Sequence, residues 1–189
     1  MSTVFACFLQ NDNEIMAAHW LNKAAAQVAP KTNDGLPPKI HVELFFPDTA
    51  GDERDLVSGR ACSIHYNGKV FMARKRFSRK QWSFRSIPTN KDQYDAIVSY
   101  CEAAVGSRFN HLGYFLQPVL SIDHAWPETW FGMKKRYYCS EICIEALKAG
   151  GVLHQSVRSQ IHPQHLFAML KDETDAACVR NVSKIDLMF

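Results

Sequence analysis

Apolar and polar positions along the chain fall into segments of two periods. Residues 3–10 (TVFACFLQ) are apolar almost throughout, as in a strand covered on both faces. Asn11, Asp12 and Asn13 form a turn and capping cluster. Over residues 14–28, Ile15, Ala18, Trp20, Leu21, Ala24 and Ala25 then make a helical stripe. Residues 30–38 are rich in Pro, Gly and Asn and read as a loop.

Residues 40–46 (IHVELFF) alternate with period two. Val42, Leu44 and Phe46 share one face; His41, Glu43 and Phe45 share the other; Pro47 is expected to end the strand. Residues 60–66 and 69–74 flank Asn67-Gly68, the preferred two-residue hairpin turn. Residues 81–87 (QWSFRSI) predict a further strand, stopped by Pro88. Residues 89–105 carry Tyr94, Ile97, Val98, Cys101 and Ala104 at helical spacing and close at Gly106. Residues 108–130 are aromatic and contain prolines, and are expected to be irregular. From Ser140 a second clear helix shows a face of Ile142, Ala146 and Ala149, ended by Gly150-Gly151. Residues 163–170 predict a short helix with Pro163 in its first turn, and the tail to Phe189 an edge strand.

Strands clustered between helical segments predict an α+β fold. The expected sheet is antiparallel, built from residues 40–46, 60–66, 69–74 and 81–87, with the Ser140 helix packed against it. If the first two of these strands pair so that Phe46 faces Arg60, then Glu43 faces Ser63 and His41 faces His65. One sheet face would then carry two histidines, a glutamate and a serine. A slip of one residue would turn the second strand's residues away.

At 189 residues with 47% hydrophobic content, the chain suits one globular domain spanning 1–189. The formal net charge of +3 is too small to imply a nucleic-acid partner by itself. Six cysteines without a CxxC pair favour reduced thiols. The N-terminus lacks the basic and apolar regions of a signal peptide, and no stretch is long enough to span a membrane. The expected location is cytoplasmic or virion-associated. Charge is uneven: between Arg60 and Lys91 there are nine basic residues and no acidic one. Lys75, Arg76, Arg79 and Lys80 are the candidates for drawing in an anionic substrate or partner, against the plainer reading of a solvated sheet face.

Cys139 opens the helix that begins at Ser140. Unpaired N–H groups and the positive end of the helix dipole favour thiolate there, and thiolate is the nucleophile. His41 is a candidate base, with Glu43, or alternatively His65 or Ser63, to orient it. The Cys139 backbone N–H is a candidate oxyanion donor. The plainer reading of Cys139 is a small buried residue at a helix start.

Three blocks of sequence add a resemblance. His41-Val42-Glu43-Leu44, Gly106–Tyr114 (GSRFNHLGY) and Tyr138-Cys139-Ser140-Glu141 are similar in order and spacing to the circularly permuted branch of the NlpC-type, papain-like cysteine hydrolase superfamily. His162-Pro163 with Leu166 and Phe167 resembles a later helix of that branch, and Trp82 falls in an expected place. The resemblance spans roughly residues 40–170. It implies a permuted papain-like fold, a Cys–His–polar triad, no cofactor and no metal, and an amide in peptide or peptidoglycan as substrate. Members with this pattern and no secretion signal imply a viral or phage origin.

Three other readings stay open. A thioester or lipid ester is the substrate of related acyltransferases, so thioesterase or acyltransferase chemistry is an alternative. The scaffold also suits a binding protein without catalysis. A zinc module using Cys139, Cys143, His41 and His65 is a third reading, though the usual knuckle spacing is missing.

Overall fold

The structure is a computed structural model, and it describes residues 2–10, 38–48, 58–64, 68–77, 81–109 and 136–170. The expected helix over 14–28, the hairpin turn residues 65–67, most of the aromatic stretch after 108 and the C-terminal strand lie outside the described residues.

Five strands form one antiparallel sheet: β1 (Ser2–Gln10), β2 (Lys39–Pro47), β3 (Gly59–Ile64), β4 (Val70–Lys75) and β5 (Trp82–Thr89). The order is β4-β3-β2-β1-β5, so β2 is central and β1 is an inner strand between β2 and β5, a place the four-strand expectation gave to none. Its apolar sequence follows from that position: Val4, Ala6 and Phe8 enter one core, and Phe5 and Cys7 the other. Pro47 is the last residue of β2, as expected, whereas β5 continues through Pro88, which lies opposite Thr3, to Thr89. β5 is an edge strand, where a missing N–H costs no ladder bond.

Three helices are described: α1 (Lys91–Ala104), α2 (Cys139–Ala149) and α3 (Pro163–Met169). Asn90 caps α1, its side chain accepting from the Gln93 N–H at 2.9 Å while the Gln93 side chain accepts from the Asn90 N–H at 3.1 Å. Val42, Leu44 and Phe46 of β2 pack with Ile97 of α1, Ile142 and Leu147 of α2 and Leu166 of α3 in the main core. Gly150 ends α2 against α1, where a Cβ would come within 2.5 Å of the Ile97 side chain and 2.9 Å of the Gln93 carbonyl. Only a residue without a side chain lets the two helices approach this closely. Among the described residues no helix is long and apolar enough to cross a membrane.

The other sheet face is concave. β4 and β5 are consecutive in the chain yet occupy opposite edges of the sheet. In a flat sheet Lys75 and Trp82 would lie about 28 Å apart, beyond the roughly 25 Å that their connection spans when extended. The sheet therefore curls until its edges approach. Phe77, in that connection, fills the hollow, its ring 5.2 Å from Phe45 and 4.7 Å from Trp82. This curl brings β4 side chains over β2, and the candidate site depends on it.

Candidate functional site

β2 leaves β3 before it reaches His41. The β2–β3 ladder runs from Pro47↔Gly59 to Leu44↔Cys62, which is the register in which Phe46 faces Arg60. The β1–β2 ladder continues past Leu9↔His41 and shifts register next to it, since Gln10 pairs with Lys39 and Ile40 is the extra residue. A bulge here re-aims the neighbouring side chain. The N-terminal end of α2 packs on β2 and β3, and beyond the end of their ladder the Val42 N–H donates to the Cys139 sulfur.

Cys139 is the first residue of α2 and is partly exposed, whereas Cys7, Cys62, Cys101 and Cys143 are buried. Its sulfur is hydrogen-bonded to His41 and receives the N–H groups of Val42 and Ser140. The Cys139 N–H has no carbonyl one turn earlier in the helix to bond. The turn is held from both sides: the Tyr138 N–H donates to Glu141 Oε2 at 3.2 Å, and Ser140 Oγ donates to the Ile161 carbonyl at 2.6 Å.

On its other side His41 Nε2 lies 3.2 Å from Glu43 Oε1 and 3.3 Å from Ser63 Oγ. Those contacts leave Nδ1 as the ring nitrogen for the thiol. Trp82 and the imidazole meet in a T-shaped arrangement, with centroids 6.3 Å apart. Glu43 is 1% exposed and accepts from Lys75 Nζ at both oxygens, at 2.6 and 2.7 Å.

Charge explains the titration of these groups. Burial pushes the Cys139 thiol up, but the charge and hydrogen bond of His41 and the two backbone N–H groups outweigh it and hold the thiol below its ordinary 9.0. Burial disfavours the imidazolium, but Cys139 and then Glu43 raise His41 to about 10. Burial also opposes ionisation of Glu43, while His41 and Lys75 bring its carboxyl down to about 2. The shifts of all three groups run toward the charged forms: thiolate, imidazolium and carboxylate. Cys7 and Cys143 are pushed well up, first by burial and then by nearby negative groups. Cys101 is raised chiefly by its hydrogen bond with Cys62 and then by burial.

The depressed Glu43 value has a consequence for stability. A folded-state value below the ordinary 4.5 means that the ionised group stabilises the fold above that pH, and that this contribution is lost as pH falls toward about 2. Denaturation midpoints between pH 2 and pH 5 should therefore fall steeply for the native chain and more shallowly for Glu43→Gln. Parallel slopes would show that the Glu43 contacts do not persist in solution.

The structure thus brings Cys139, His41, Glu43 and Ser63 together. His65, Arg79 and Lys80 lie outside the described residues. Arg76 is exposed. Lys75 is not a free surface cation: it turns inward onto Glu43, an acid outside the basic stretch from Arg60 to Lys91. Cys143 lies one turn beyond Cys139 but is sunk in the main core. Among the described residues no three His, Cys, Asp or Glu side chains are grouped to hold a metal ion. The sequence assigned Lys75 to an anion-attracting surface and not to the group around Glu43. The available signal was alternation along β4, which points Lys75 and Arg76 to opposite sides.

Comparison of the chain with protein-family models, curated proteins and solved structures finds no match.

Proposed function

We propose that this protein is a cysteine hydrolase of the permuted papain-like type that cleaves an amide bond in a peptide or a peptidoglycan-type substrate. The observation that carries the reading is the contact of Cys139, at the start of α2, with a histidine that is itself held by a buried carboxylate. Buried ionisable groups that shift one another and meet at a partly exposed thiol are what a nucleophilic site requires.

In this mechanism the Cys139 thiolate attacks the amide carbonyl carbon. The oxyanion so formed takes the Cys139 N–H as a donor. His41 gives its proton to the departing amine, the C–N bond breaks, and a thioester to Cys139 remains. Neutral His41 then removes a proton from water, which attacks the thioester. The acid leaves, and thiolate and imidazolium are restored. Glu43 and Ser63 fix the ring with Nδ1 toward the sulfur, and Glu43 stabilises the imidazolium.

Two measurements test this. Limited iodoacetamide at pH 6 to 7 should label Cys139 well ahead of Cys7, Cys62, Cys101 and Cys143; equal labelling would remove the thiolate. Incubation with a panel of peptides and muropeptides, with mass spectrometry of the intact chain, should trap an acyl group on Cys139. Turnover of thioesters or lipid esters alone would reassign the substrate class. Hydrolysis that survives Cys139→Ala would end the proposal.

A further inference from the structure

The proposed triad has a charge problem. With Cys139 as thiolate, His41 as imidazolium and Glu43 as carboxylate, its net charge is −1. The three groups sit in a pocket where Glu43 is 1% and His41 13% exposed. Net charge in such a place costs far more than a balanced pair, and the usual response is for one group to take up a proton. A neutral third residue would not raise this difficulty; a carboxylate does.

The groups that face Glu43 come from every neighbouring element. β1 contributes Cys7, its direct cross-strand partner. β2 contributes His41 and β3 Ser63, which meets the same imidazole nitrogen as the carboxylate does. β5 contributes Trp82, and α2 contributes Cys139 and, more distantly, Cys143. β4 contributes Lys75. Its ammonium holds both carboxylate oxygens and lies 5.8 Å from the ring of Phe71, 5.6 Å from Phe77 and 5.8 Å from Trp82. The rings hold the cation over Glu43, and the curl of the sheet carries it there from the β4 edge, two strands away.

We propose that Lys75 is the counter-ion of the site: a positioning residue whose ammonium balances the second negative charge of the triad and so keeps thiolate, imidazolium and carboxylate ionised together at neutral pH. Lys75 does not touch the reacting atoms. It acts through Glu43, and the inference rests on the hydrolase reading above.

The sign of its effect is fixed. Removing a positive charge raises the proton affinity of every group around it. In Lys75→Met, which keeps the unbranched stem against the rings, the site should take up its first proton at higher pH and release the imidazolium proton at higher pH. Both limbs of the pH profile for Cys139 alkylation should move up by about one pH unit or more. Lys75→Arg should return them close to the native position. Glu43→Gln combined with Lys75→Met removes both charges, and its acid limb should lie below that of Lys75→Met alone. A purely structural lysine would lower the rate without displacing the limbs.

The experiment is the rate of iodoacetamide modification of Cys139 in the full chain from pH 4 to pH 10, read by peptide mass spectrometry, for the native protein and these three variants. If Lys75→Met does not fold, the comparison of Lys75→Arg and the double variant with the native protein still decides. A native profile near the acid side, with the Lys75→Arg limbs close to it and the double variant not displaced upward, supports the proposal. An acid-shifted native thiolate with limbs that stay in place in Lys75→Met, or with Lys75→Arg displaced as far as Lys75→Met, overturns the role of Lys75 and leaves the hydrolase reading standing. A native Cys139 that titrates like an ordinary thiol overturns both.

Discussion

Replacing His41 by Ala should abolish turnover and return Cys139 to a thiol at neutral pH. Two losses combine. The imidazolium charge and its hydrogen bond are what oppose the burial of the sulfur; without them burial dominates, and the remaining Val42 and Ser140 N–H groups are weaker compensation. The proton donor for the leaving amine is also gone, a contribution of roughly 10²- to 10⁴-fold by itself. Iodoacetamide modification at pH 6 should slow in parallel, which separates loss of thiolate from loss of proton transfer. Cys139→Ala should be at least as damaging to turnover, while its far-ultraviolet circular dichroism should match that of the native chain. Rapid neutral-pH alkylation in His41→Ala would mean that the helix terminus alone sets the thiolate, and would demote His41 to a bystander.

The parts of this site that were legible in the sequence are those set by local periodicity. Alternation over residues 40–46 places His41 and Glu43 on one face because the side-chain period of a strand is fixed at two. The start of α2 was legible because a polar-to-apolar change and the closing Gly150-Gly151 bracket it. Phe46↔Arg60 was an assumption about register, and it coincides with the ladder of β2 and β3; hydrophobic alternation on both strands allows few alternatives. What stayed hidden was non-local. Lys75 lies 32 positions from Glu43, and only a sheet that curls from β4 toward β5 joins them. Reading Lys75, Arg76, Arg79 and Lys80 as one basic stretch pooled a residue turned inward with one turned out. Pro88 misled for a related reason. Whether a proline ends a strand depends on whether its N–H would have faced a neighbour, which composition does not reveal. The bulge at Ile40 left no signal at all in the residue types.

Glu43→Gln should separate the roles of the groups around the imidazole. The amide keeps the shape and one hydrogen-bond acceptor but removes the charge that favours the imidazolium. It also leaves the Lys75 ammonium beside a neutral group. Both changes lower the proton affinity of His41, so the alkaline limb of activity should fall from near pH 10 toward neutral, the direction opposite to that expected for Lys75→Met. Turnover at neutral pH should drop by roughly 10²- to 10⁴-fold, as it does when a triad carboxylate is neutralised in place. Ser63→Ala removes one neutral hydrogen bond to the ring, with a net value of about 1 kcal/mol, and should cost only about fivefold. His65→Ala should leave both the rate and the alkaline limb near their native values. The measurement is kcat and kcat/KM against pH for the three variants on one substrate. A crippled Ser63→Ala with a mild Glu43→Gln would make the serine the orienting residue and leave the carboxylate as the anchor of Lys75. A crippled His65→Ala would give that role to His65, the alternative third residue named from the sequence.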